Sequence, residues 1–105
     1  MITKELASEI ASGWSACGMR DKDGNWCDTA LYQFSSWGGR IFSEDHRERC
    51  LGAIKQALHW MYANRQSILS DENDRADEAP NRMGDWADLV RLELFIINAE
   101  VQPEP

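Results

Sequence analysis

No stretch of this sequence has more than four consecutive apolar residues, as at Leu94–Ile97. A membrane-spanning helix needs roughly 18 to 20. The first ten residues include Glu5 and Glu9 and no apolar h-region, so they do not read as a targeting segment. Cysteine is sparse and odd in number. Cys17, Cys27 and Cys50 have no framework spacing, which points to thiols in a reducing cytoplasm rather than to a secreted disulfide scaffold. There is no G-x-S-x-G elbow, no C-x2-C unit, no repeat and no low-complexity tract. The sequence therefore offers no ready-made catalytic signature, and the expectation is that the chain is not an enzyme and carries no cofactor.

What is present is enough for a core. A chain of 105 residues suits one domain, and 43% of it is apolar, with five tryptophans. Each indole buries on the order of 200 Å². The apolar spacings predict an all-α fold: three substantial helices, one short helix and, as an option, a small hairpin near residues 17–28. The first helix is expected from about Thr3 to Ala16. Thr3 is placed to cap it, and Ile2, Leu6, Ile10, Trp14 and Cys17 form one stripe. A short helix follows from about Thr29 to Trp37, capped by Asp28 and ended by Gly38 and Gly39.

The longest helix is expected from Glu44 to Leu69, with Ser43 as its cap. Leu51, Ile54, Leu58, Met61 and Ile68 make its stripe, and the small Gly52, Ala53 and Ala57 would let a neighbour approach closely. Residues 70–82 have no large apolar side chain and read as an exposed acidic loop, with Pro80 as breaker. The last helix is expected from about Asp85 to Glu100. Its apolar residues cover more than half its circumference, so it should be the most buried. Residues 102–105 read as a disordered tail. The expected core is Leu6, Ile10, Trp14, Leu31, Phe34, Leu51, Ile54, Leu58, Met61, Leu89, Leu92 and Ile96.

Three arrangements could carry chemistry, and each has a plainer explanation. Cys17, Cys27, His46 and Cys50 would make four ligands for tetrahedral zinc, His46 and Cys50 being one helical turn apart. Cys17 and Cys50 sit on apolar stripes, however, where a buried thiol is the common occurrence. Asp21, Asp23 and Asn25 match the first positions of a calcium loop, but Trp26 and Tyr32 stand where glycine and glutamate belong. The short helix, the glycine turn and the long helix resemble a helix-turn-helix. Its Arg40, Arg47 and Arg49 alternate with Glu44, Asp45 and Glu48, which opposes phosphate binding. His46 and His59 read as helix-end and surface residues.

The remaining signal is where the charge lies. Residues 1–70 hold eight acids and eight bases, whereas residues 71–105 hold ten acids against Arg75, Arg82 and Arg91. The whole net charge of −7 thus falls in the last third. Such a field repels nucleic acid and anionic membranes and attracts basic protein surfaces. Asp71, Glu72, Asp74, Asp77, Glu78, Asp85 and Asp88 are the expected partner-binding residues. The function expected from this is a small acidic inhibitor or adaptor that engages a basic surface of a nucleic-acid-handling protein by charge mimicry. A phage-type anti-CRISPR or anti-restriction role is its concrete form, by analogy with small acidic inhibitors as a class. A zinc-stabilised interaction module, or an assembly subunit that oligomerises through the last helix, is the alternative.

Overall fold

The computed structural model describes residues 2–16, 29–63, 65–66 and 83–104, without the side chains of residues 15, 16, 60 and 83–85. The hairpin option at 17–28, the acidic loop at 70–82 and the expected end of the long helix at Leu69 lie outside the described residues. Within them the fold is all-α, with no strand. The helices are α1 (Lys4–Ala16), α2 (Ala30–Ser36), α3 (Glu44–Ala63) and α4 (Met83–Asn98). They close a ring in which α1 packs on α2 and α4, and α3 packs on α2 and α4.

Two of the helix starts follow directly from capping chemistry. The Thr3 Oγ1 accepts the Leu6 backbone N–H at 3.1 Å, and the Ser43 Oγ accepts that of His46 at 3.1 Å. Each satisfies one of the amides that a helix start leaves without an internal partner. The end of α2 is equally explicit. Gly39 N–H donates to Phe34 O and Gly38 N–H to Ser35 O, and both glycines have positive φ. This is a Schellman close, and it turns the chain sharply into α3. Ser8 then ties α1 to the same turn, its hydroxyl donating to Ser35 O at 3.1 Å.

The largest completely buried side chains of the core are Phe34, Ile41, Ile54, Met61, Leu89, Leu92, Ile96 and Cys50. Ile10, Trp14 and Leu31 join them as expected. Leu6 does not: it is 39% exposed, and α1 instead buries Ala7, Ile10, Ala11 and Trp14. Residues four apart drift about 40° around a helix of 3.6 residues per turn, so a stripe made only of four-residue steps leaves the buried face within a few turns. On α3 the buried face is likewise rotated towards small residues. Ala53 and Ala57 are buried, Leu51 and Leu58 only partly so, and Gly52 is exposed.

The expectation for α4 needs the largest correction. It buries Leu89, Leu92 and Ile96 on one face but leaves Val90, Leu94 and Ile97 exposed. A helix at the side of a ring has neighbours on one side only, so more apolar residues than one face holds must remain outside.

The segment after α4 is joined to the rest of the fold. Gln102, expected in the tail, donates its backbone N–H to Ile41 O at 2.7 Å, beside a parallel bridge between Ile41 and Val101. Arg47, in the first turns of α3, reaches the end of α4. Its guanidinium donates to Ile96 O at 2.6 Å, Ile97 O at 2.9 Å and Ala99 O at 2.5 Å, and pairs with Glu44 at 2.9 Å. The guanidinium thus serves carbonyls at and just past this helix end, of which Ile96 O also accepts the Ala99 N–H at 3.4 Å, and it holds the start of α3 against the end of α4. Replacing Arg47 by Met keeps the stem and removes the donors. With the side chain only 14% exposed, the loss should be about 2–3 kcal/mol, read from chemical denaturation. A loss below about 0.5 kcal/mol would mean that water serves these carbonyls equally well.

Candidate functional site

Of the seven acidic residues expected to bind a partner, Asp71, Glu72, Asp74, Asp77 and Glu78 lie outside the described residues, as does the side chain of Asp85. Asp88 is described. It sits part-exposed on α4, its carboxylate 3.5 Å from Arg91 one turn on, a surface pair that contributes little to stability. Glu93 lies partly buried on α4, and Glu100 and Glu104 are exposed beyond its end. Over residues 83–104 there are five acids (Asp85, Asp88, Glu93, Glu100, Glu104) against Arg91 alone.

The outward face of α4, the helix expected to be the most buried, carries exposed apolar residues. Val90, Leu94 and Ile97 recur at steps of four and three, which places them on one side of the helix. Leu94 is 54% exposed and Ile97 49%. Glu93 borders this stripe on one side and Arg91, paired with Asp88, on the other. The sequence signal for it was present, since apolar residues cover too much of the helix for one buried face.

Two of the four candidate zinc ligands are placed together. His46 and Cys50 share one face of α3, and His46 is buried rather than at the surface. Its Nε2 lies 3.0 Å from Ala30 O and 3.5 Å from Cys50 Sγ, while its ring packs 4.8 Å from that of Trp37. The imidazole thus bridges the start of α3 to the start of α2. Extending the buried series Met61, Ala57, Ala53 and Cys50 back by one turn arrives at His46, and that spacing was the available signal. Cys17 and Cys27 lie outside the described residues, among which no group of three or more potential ligands occurs. Cys50 is a buried thiol, as expected of a stripe residue.

The helix-turn-helix likeness loses a basic residue. Arg47 is turned inward to the end of α4, so it is committed to carbonyls and not presented to phosphate. No helix among the described residues is long and apolar enough to cross a membrane. His59 is exposed on α3, as its place beside Lys55 on the polar face implies. Comparison with protein-family models, with curated proteins and with solved structures finds no match to this chain.

Proposed function

We propose that this chain is a small, non-enzymatic, cytoplasmic protein-binding inhibitor or adaptor that engages a basic surface of a nucleic-acid-handling protein. The observation that carries the reading is the charge division: neutral over residues 1–70 and −7 over the remainder. Clustered carboxylates at spacings comparable to phosphates suit a groove that otherwise holds nucleic acid, and a phage-type anti-CRISPR or anti-restriction inhibitor is one form such a protein takes. Asp71, Glu72, Asp74, Asp77 and Glu78 lie within eight residues and are opposed only by Arg75. A partner rich in lysine and arginine relieves that repulsion and is steered towards it at rates that fall with salt.

Replacing those five acids by Asn or Gln should leave the helical spectrum intact. Capture of partner proteins from host lysate, identified by mass spectrometry, should fall about tenfold at low salt and less at high salt. The captured proteins should be nucleic-acid-handling proteins with basic grooves. Undiminished capture by the neutralised variant would reduce the acidic segment to a solubility device.

A further inference from the structure

We draw no further inference here: the strongest candidate, the buried His46–Cys50 pair where the start of α3 meets the start of α2, offers two ligating side chains whose contacts with Ala30 O already account for their placement, and no third ligand joins them among the described residues.

Discussion

Phe34→Ala should cost about 3–5 kcal/mol of stability, a large share of the roughly 5–15 kcal/mol that holds a domain folded. Phe34 is completely buried, and its ring meets that of Phe95 edge-on with centroids 6.2 Å apart. Helix α2 has only seven residues, too few to persist without tertiary packing. Leu31 and Phe34 are its large buried anchors, so truncating one of them loosens the helix that both α1 and α3 pack against. The change also removes an aromatic pair worth about 0.5–1.5 kcal/mol beyond its area. Urea denaturation should show a lower midpoint at an unchanged slope, and Phe34→Leu should recover much of the loss. A cost under about 1 kcal/mol would show that neighbouring side chains close the cavity, and that α2 does not depend on this anchor.

Gly39→Ala should be the most damaging alanine substitution among the described glycines Gly13, Gly38, Gly39 and Gly52, at about 2–4 kcal/mol. Two independent terms contribute. The backbone there has φ +81°, a region that L side chains rarely adopt. A Cβ would also stand 2.7 Å from Lys4 O and 2.8 Å from Lys4 Cγ. The side-chain contact can be relieved by a rotamer change, but the carbonyl belongs to the backbone of α1. The start of α1 would have to move away from the turn, and the Ser8 bond to Ser35 lies close by. Gly38→Ala is the control. It shares the positive φ, but its Cβ would meet nothing within 4 Å, so it should cost only the conformational part, about 1–2 kcal/mol. If the two variants were equally stable, the close approach of α1 would have no energetic weight.

Local chemistry was legible in the sequence where a single residue performs it. Thr3 and Ser43 cap the helices they were expected to cap, and Gly38 and Gly39 end α2. These are interactions within a few residues of chain, so the sequence contains both partners. The choice of buried face was less legible, because a neighbouring helix makes it. On α3 the small Ala53 and Ala57 were expected to admit a neighbour, and both are buried. On α1, by contrast, Ala7 and Ala11 are buried while Leu6 is exposed, and no pattern that weights residues by size ranks them that way. His46 was read as polar by type, whereas its burial depends on Ala30 O, sixteen residues away. The candidate site divides similarly. The acidic excess is a property of composition and visible at once, while the apolar strip beside it required knowing which side of α4 has no neighbour.

The three carbonyl bonds of Arg47 join residues 49 to 52 positions apart. They can form only once the intervening chain has already been brought together, so they repay none of the early cost of closing it. Contacts that close after the barrier act on the unfolding rate alone, and that is the expectation for these bonds. The Arg47→Met variant should therefore reach its folded state at nearly the parent's rate and leave it faster, by the full factor that its lost stability implies. Stopped-flow folding and unfolding rates check this: a folding rate slowed as much as unfolding is hastened would place these bonds in the barrier instead, whereas the expected outcome makes Arg47 a determinant of how long the molecule stays folded once formed.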